Sequence, residues 1–166
     1  MKWGPTSSNS CPARILFLRS KEAKERLRPS LSGNNVHKTM LAPVTAILGY
    51  DLKFYDLLPR LFAHNQAARS WFSDDARLAE ITAFRNGTLQ GGYFILAARS
   101  VGLDCGPMSG FNNAMVDQEF FGAGRSYGFD ATHVRSNFLC NLGYGDHAKL
   151  FPRNARLSFH EVCALL

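Results

Sequence analysis

Three segments of the chain carry residue types suited to holding a polar ligand. Residues 5–12 read Pro-Thr-Ser-Ser-Asn-Ser-Cys-Pro, and their hydroxyl and amide groups can present donors and acceptors to a planar heterocycle. Residues 106–110 contain two glycines that let backbone N–H groups approach a ligand atom, and Pro107 restricts the approach. Arg153 and Arg156 form a pair suited to a phosphate. Taken singly, the three segments also fit a turn, a plain loop and exposed surface charge.

Other kinds of catalytic chemistry lack their sequence signatures. The chain contains no GxGxxG, GxxxxGK[S/T], HExxH or GxSxG motif. The five histidines are scattered with no pair at metal-ligand spacing, so no metal site is expected. Cys105 lies in a glycine-rich segment without a basic neighbour in sequence, and a buried free thiol is the commoner role for such a residue.

Length and composition predict one compact domain. The chain has 166 residues, of which 46% are hydrophobic, and this is enough for a single core. The four cysteines, at positions 11, 105, 140 and 163, form no CxxC pair, which favours reduced thiols and a cytoplasmic location. No apolar run approaches the roughly 20 residues of a membrane span, and the N-terminus lacks a signal-peptide core. Neither secretion nor membrane insertion is expected.

Positive charge is concentrated in the first quarter of the chain. Residues 1–40 hold eight Lys and Arg against two Glu, which accounts for the whole formal net charge of +6. Such a segment fits a solvated helix face, a surface for nucleic-acid phosphates, or part of the site for a phosphorylated cofactor. No aromatic platform is interleaved with these charges, so nucleic-acid binding is not expected.

Hydrophobic patterning predicts short strands that alternate with helices. The predicted strands are residues 15–18, 44–50 and 138–142, and the predicted helices are 21–27 with Ser20 as cap, 78–101 with Gly102 after its end, and 113–121 with Asn112 or Asn113 as cap. Residues 32–35 and 102–111 read as turns or loops, and residues 122–134 as a mobile loop or a lid. This alternation indicates an α+β or α/β fold with a central sheet.

Three glycines lie inside the long predicted helix. Gly87, Gly91 and Gly92 each cost up to about 1 kcal/mol relative to alanine in a helix. We therefore expect a close approach to the backbone at this point, by a facing helix of this chain or of a partner chain.

The order of several motifs resembles the nitroreductase family of flavoproteins. They are Pro5-Thr6-Ser7-Ser8-Asn9 before a strand, Phe84-Arg85-Asn86 in the long helix, Gly106-Pro107-Met108-Ser109-Gly110-Phe111, and Asn141-Leu142-Gly143-Tyr144-Gly145-Asp146. Residues 2–7, 83–86, 106–111 and 156–159 are most similar to the members that reduce malonic semialdehyde in pyrimidine degradation. The resemblance covers nearly the whole chain.

The resemblance implies an α+β fold with a central mixed or antiparallel sheet flanked by helices. It also implies an intertwined homodimer with one FMN at each end of its interface. Members pass a hydride from NADPH or NADH to flavin N5 and then to an acceptor, here malonic semialdehyde, which becomes 3-hydroxypropanoate. No residue of the chain is expected to be catalytic, since the flavin carries the hydride. A generic nitro- or quinone reductase and a truncated, flavin-free dimer without catalysis are the alternatives.

The resemblance also implies which residues bind the cofactor and the substrate. The isoalloxazine contacts would be Pro5, Thr6, Ser7 and Asn9; the loop of Pro107, Met108, Ser109 and Gly110 would lie against the reactive edge of the flavin and give N–H groups to N5 and O4; Asn35 or Lys38 would reach the pyrimidine edge; Arg153, and with it Arg156, would hold the phosphate; and Arg85 and Phe111 would lie near the substrate. Family members begin with a further helix and a phosphate-binding segment, so we expect residues 1–166 to be one domain that lacks both.

Overall fold

The computed structural model describes residues 1–166, which form an antiparallel sheet flanked by helices. The strands are β1 (Ala13–Leu18), β2 (Val44–Asp51), β3 (Asp104–Met108) and β4 (Val134–Gly143), in the order β1-β2-β4-β3. The helices are α1 (Lys21–Leu27), α2 (Gly33–Leu41), α3 (Leu58–Leu61), α4 (Ser70–Ser73), α5 (Ala76–Ser100), α6 (Asn113–Val116) and α7 (Phe159–Val162). Every strand pair is antiparallel, so the α+β prediction is confirmed and the mixed sheet is excluded.

Alternation along the strands divides the core into two layers. Ile47 and Leu139 point to the face that is covered by α1 and α6, where they pack with Leu27 and Val116. Residues of opposite parity, such as Leu48, point to the other face and pack against α5. Because successive side chains of a strand point to opposite faces, these short apolar runs supply both layers at once. α5 therefore lies alone across one face of the sheet.

The close approach expected at the helix glycines is made by the sheet and not by another helix. A Cβ atom on Gly87 would lie 2.8 Å from the Cβ atom of Tyr50 in β2. A Cβ atom on Gly91 would lie 2.6 Å from the ring of Phe138 in β4. Gly92 faces open space. The expectation of a facing helix is therefore wrong for Gly87 and Gly91, which bring α5 down onto the strands of the same chain.

Two elements differ from the sequence expectations. Residues 104–108 were expected to be loop but form β3, at the edge of the sheet. An edge strand tolerates Pro107, since the missing N–H faces away from the ladder. Residues 33–35, expected to be a turn, begin α2. Glycine and asparagine are weak helix formers, so tertiary contacts rather than local propensity hold this first turn.

The remaining predicted elements are confirmed with small changes of boundary. β1, β2 and β4 contain the predicted residues, α5 begins two residues earlier and ends one residue earlier than predicted, and Gly102 follows with a φ of 86°. Asn112 caps α6 by accepting a hydrogen bond from the N–H of Met115 at 3.1 Å, and a π-turn at Asp117–Phe121 follows. Residues 122–133 form no helix or ladder strand and pack beside β1, where Phe129 lies under the Arg14 guanidinium.

The C-terminal segment leaves the body of the fold after β4. Every residue from Tyr144 to Leu166 is exposed, including Phe151 at 92% and Leu165 at 88%. Its last helix, α7, is held by a local capping box between Ser158 and Glu161. Across the whole chain, none of the helices combines the length and the apolar character that a membrane span requires.

Candidate functional site

The loop that leaves β3 presents two free backbone donors. The N–H groups of Ser109 and Gly110 make no hydrogen bond within the chain, although neighbouring groups are paired. Ser109 is exposed and Gly110 is half-buried. Two adjacent, accessible N–H groups on an anchored loop form a donor pair for an acceptor atom of a ligand.

Helix α2 holds this loop through the oxygen of Gly110. The side-chain Nδ2 of Asn35 donates to that oxygen at 2.8 Å, and the N–H of Ser32 donates to it at 3.0 Å. A Cβ atom on Gly110 would lie 2.6 Å from Asn35 Nδ2, so the contact requires glycine. Lys38, on the same helix, is exposed and has no acidic partner within the chain. These residues, namely Asn35, Lys38, Ser109 and Gly110, are called the first half-site below.

A buried polar network fixes α2 against the sheet beneath the first half-site. Thr45 Oγ1 donates to Asn141 Oδ1 at 2.7 Å, and Asn141 Nδ2 donates to Thr39 Oγ1 at 3.4 Å. Thr39 Oγ1 donates in turn to the Met108 sulfur at 3.7 Å. The Met108 side chain is therefore turned into the core and only its backbone faces the loop. The sequence analysis did not identify Thr39 or Thr45, and no sequence signal distinguishes them from surface threonines.

The N-terminal residues lie on α5, on the other face of the sheet. The N–H of Ser7 donates to the buried Asn86 Oδ1 at 2.9 Å, and Tyr93 Oη donates to the Pro5 oxygen at 3.1 Å. Asn9 Nδ2 donates to the oxygen of Leu61 at 2.8 Å. Four of the residues expected to contact a flavin ring, Pro5, Thr6, Ser7 and Asn9, are called the second half-site below.

The backbone of the second half-site is strained. Ser8 and Asn9 have a φ of 49° and Cys11 a φ of 43°, in the left-handed region that side chains disfavour. The fully buried Ser10 Oγ beside them has no hydrogen-bond partner. Such conformations cost about 1 to 3 kcal/mol each, persist only where the surroundings impose them, and cluster at ligand sites.

One chain does not bring the two half-sites together. The first half-site packs on the face covered by α1, α2 and α6, whereas the second rests on α5 across the sheet. Arg153 and Arg156 lie in the exposed C-terminal segment; Arg156 donates only to the nearby oxygens of Asn154 and Ala155, and Arg153 makes no ion pair. The third expected group of cofactor ligands is thus also separate.

The two residues expected near a substrate are likewise apart. Arg85 is exposed on α5, beside a cavity of about 630 Å³ that Tyr50 and Phe84 also line. Phe111 packs on the opposite face of the sheet, at the end of the first half-site loop. Within one chain, Arg85 and Phe111 cannot touch the same small molecule.

The donor set of the first half-site fits FMN. The isoalloxazine edge carries acceptors that match the Ser109 and Gly110 N–H groups, and it also carries a donor that matches the unused Asn35 Oδ1. Lys38 supplies a free cation beside them. The expected ligands of the FMN phosphate do not lie here, because neither Arg153 nor Arg156 approaches this loop in the single chain.

The buried Cys140 is not an activated thiol. Cys140 is buried beside Cys105, and burial raises the pKa of its thiol to about 12, with the neighbouring Cys105 adding to the rise. A thiol with such a pKa stays protonated at neutral pH and is a poor nucleophile. No three His, Cys, Asp or Glu side chains gather in a group that could hold a metal ion.

Comparison with known proteins identifies the relatives of this chain. The family model described as "Nitroreductase family" matches residues 1–124. The chain is 58% identical to HadB of Ralstonia pickettii and 57% identical to a protein of Cupriavidus pinatubonensis, covering 99% of this chain and 81% of each relative. Both relatives are provisionally named NADH dehydrogenase/NAD(P)H nitroreductase.

Solved structures share the fold. A nitroreductase of Bacillus subtilis matches with a TM-score of 0.84 at 16% identity, over 99% of this chain and 83% of that one. A nitroreductase of Exiguobacterium sibiricum, solved in complex with FMN, matches with a TM-score of 0.81 at 20% identity, over 99% and 81%. The expected nitroreductase-like fold is therefore confirmed. Since the family model also spans most of its sequence, the chain belongs to the nitroreductase family.

Proposed function

We propose that this chain is an FMN-dependent NAD(P)H oxidoreductase whose flavin lies against the first half-site. The observation that carries the proposal is the pair of unused N–H groups at Ser109 and Gly110, fixed in place by Asn35. The names of the two close relatives support the NAD(P)H-dependent activity, and the FMN complex of the Exiguobacterium sibiricum neighbour supports the cofactor.

FMN, when bound, supplies the hydride chemistry between NAD(P)H and an acceptor. The residues of the chain bind and orient it. Ser109 and Gly110 would donate to N5 and O4, and these donors favour negative charge on the ring. Lys38 would add a cation at the pyrimidine edge, which also favours negative charge on the ring. Asn35 holds the loop through its bond to the Gly110 oxygen, and this bond also orients the Asn35 amide. Arg153, and with it Arg156, would take the phosphate.

The proposal requires two copies of the chain. The second half-site rests on α5 and is accessible, yet it cannot reach the first half-site of its own chain. A homodimer in which α5 faces its counterpart would bring Pro5, Thr6 and Ser7 of one copy over the flavin held by the other. The apolar side chains exposed along α5 support such a contact; they are Leu78, Ile81, Phe84, Leu89 and Leu96.

Malonic semialdehyde is the proposed acceptor, with 3-hydroxypropanoate as product, which would place the enzyme in pyrimidine degradation. The motifs at residues 83–86 and 106–111 support this choice by their resemblance to that group of enzymes. A nitroaromatic or quinone acceptor is the second candidate, and the names of the two close relatives favour it. In a dimer, Arg85 of one copy could pair with the carboxylate of malonic semialdehyde, for which a neutral nitroaromatic has no equivalent group.

The test begins with flavin retention. The purified chain is incubated with excess FMN, desalted and read for bound flavin absorbance, and we expect about one FMN per chain. The loaded protein is then assayed with NADPH and NADH against malonic semialdehyde and a nitroaromatic. Preference for malonic semialdehyde that is lost in Arg85→Gln supports the first acceptor, whereas turnover of the nitroaromatic alone supports the second. A chain that retains no FMN contradicts the proposal.

A further inference from the structure

A basic groove between α1 and α2 lies beside the first half-site. It encloses about 730 Å³, and its ionisable lining residues are Arg19, Lys21, Lys24, Glu25, Arg28 and His37. Four of these six side chains belong to lysine or arginine and carry a positive charge, and one is acidic. Glu25 pairs with Arg28 at 3.2 Å, whereas Arg19 and Lys21 form no ion pair, although Glu22 lies next to Lys21 in sequence. The groove therefore carries a surplus of positive charge at one place.

Lys24 gives the groove a buried cation. Its side chain is 7% exposed, and its Nζ donates to the Met40 oxygen at 2.9 Å and to the Ala42 oxygen at 2.7 Å. An ammonium group has three donors, so one remains unused, and no carboxylate lies within ion-pair distance. A buried charge that lacks a counter-charge is costly, and a bound anion would offset that cost.

The groove and the first half-site share the first turn of α2. Ser32 contacts Gly110, whereas the next residue, Gly33, lines the groove. Asn35 faces the Gly110 loop, and His37, two residues further, faces the groove because each helical residue turns by about 100°. The two sites are thus separated by one helix of about 10 Å diameter. A ligand that is longer than this can occupy both.

We propose that the groove binds the phosphate monoester of a nucleotide used at the first half-site. The inference rests on the proposed function for the identity of that nucleotide. The same chemistry occurs in the 2′-phosphate of NADPH and the 5′-phosphate of FMN. NADPH binding would make the groove the determinant of NADPH over NADH, with Arg19 and Lys21 contacting the phosphate that NADH lacks. Arginine and lysine are the side chains best suited to that contact.

The test compares a double variant with a control of equal charge. Arg19→Gln with Lys21→Gln removes the two unpaired cations of the groove. Arg60→Gln with Arg77→Gln removes two exposed cations elsewhere that form no ion pair. Binding of NADP⁺ and of NAD⁺, which differ only in the 2′-phosphate monoester, to each full chain is measured by calorimetry, and this measurement needs neither flavin nor turnover. The ratio of kcat/KM for NADPH to NADH is measured on the FMN-loaded protein, and the affinity ratio of FMN to riboflavin on the flavin-free protein.

We expect the wild-type chain to bind NADP⁺ about tenfold or more tightly than NAD⁺, from one or two charge-assisted contacts. The groove variant should lose this preference together with the NADPH preference, and the control should keep both. If instead only the FMN-to-riboflavin ratio falls in the groove variant, the groove holds the phosphate of FMN in place of Arg153 and Arg156. If the groove variant changes none of the three ratios, the proposal is wrong. Retained discrimination between NADP⁺ and NAD⁺ in a chain that binds no flavin would uphold the groove and contradict the proposed function alone.

Discussion

The two half-sites are positioned by different physical means. The first is held by hydrogen bonds to one carbonyl oxygen, that of Gly110, and by the buried network of Thr39, Thr45 and Asn141 below it. Its backbone is relaxed and its two donors are free. The second is held on α5 by Asn86, which accepts from the Ser7 N–H, and its backbone is left-handed at Ser8 and Asn9. The first half-site is therefore held by paired polar groups, whereas the second contains a strained backbone.

In the proposed dimer, this difference would keep a site that is divided between two chains ready for a ligand. Each half-site is ordered by contacts within its own chain, so neither depends on the partner for its local shape. In that proposal a partner would add only proximity, which requires the α5 faces of the two copies to meet. The two half-sites can therefore be perturbed separately, by substitutions whose expected effects range from large to small.

Gly110→Val should damage the first half-site alone. The new side chain displaces Asn35 Nδ2, which lies 2.6 Å from the Cβ position, and the loop loses its anchor. We expect FMN affinity to fall about a hundredfold, equivalent to the loss of one or two charge-assisted or buried hydrogen bonds. Fluorescence titration of FMN measures it. Gly106→Ala, whose Cβ would make an ordinary contact at 3.5 Å, serves as the control, and an equal loss in that variant would contradict the explanation.

Gly87→Ala should destabilise the support of the second half-site. The added Cβ would lie 2.8 Å from Tyr50 Cβ, and so α5 must move away from the sheet. We expect the free energy of unfolding to fall by about 1 to 3 kcal/mol, as for other overpacked cores. Gly33→Ala, in the first turn of α2 with open space around its Cβ position, should instead raise it by up to about 1 kcal/mol. Urea denaturation of both variants gives the comparison, which fails if their effects have the same sign.

Asn86→Ala should release the strained N-terminal segment. It removes the acceptor for the Ser7 N–H, and the unpaired donor costs about 1 to 2 kcal/mol. Hydrogen exchange of residues 6–11 should accelerate while that of residues 107–111 stays unchanged. Asn137→Ala removes an exposed amide that donates to Thr88 Oγ1 and should have little effect on either segment. Equal acceleration in both half-sites would mean that they are not independently held.

Ser8→Gly should relieve strain and stabilise the chain slightly. Ser8 has a φ of 49°, and its side chain makes no hydrogen bond, so glycine removes the steric penalty of the left-handed region. The gain is reduced by the larger backbone entropy of glycine in the unfolded chain, which leaves about 0.5 to 1 kcal/mol. Thermal unfolding measures the difference. A decrease in stability would show that the strain attributed to this segment is absent.

Acidification should loosen the start of the C-terminal segment without affecting either half-site. The N–H of Gly145 and then the Arg99 guanidinium lower the pKa of the Asp104 carboxyl from its usual 3.8. A lowered folded-state pKa means that this stabilisation is present above pH 3.8 and is lost as the pH falls through the folded-state value. Asp104→Asn should abolish this small dependence. Chemical shifts of residues 143–147 followed by NMR from pH 6 downward would reveal it, and an unchanged titration in Asp104→Asn would contradict the assignment.

Much of the fold could be predicted from apolar runs and caps, because those signals are local. β1, β2, β4 and α5 follow from such runs, and Ser20 caps α1 as expected by accepting from the Ala23 N–H. β3 and the first turn of α2 could not be predicted in the same way. Pro107 and the glycines beside it read as loop, and only pairing with β4 makes them a strand.

Candidate site residues were identifiable by type, but not their arrangement. The fixed register of β3 and α2 puts Asn35 on Gly110, 75 positions along the chain, and nothing local encodes that distance. The separation of Pro5 to Asn9 from the first half-site follows from which face of the sheet α5 covers. Arg85 and Phe111 were grouped as substrate residues on sequence resemblance, although the fold puts them on opposite faces.

Complementation between two defective variants tests the central claim, that a flavin site is built from half-sites of two chains. Gly110→Val impairs the first half-site and Ser7→Leu the second, and each variant alone should bind little FMN. Coexpressed with different tags, they form mixed dimers in which one of the two sites carries neither substitution. We predict that the mixture regains about a quarter of the wild-type FMN binding, the fraction expected for random pairing in a two-fold dimer. Failure of the mixture to bind more FMN than either variant alone would contradict the account.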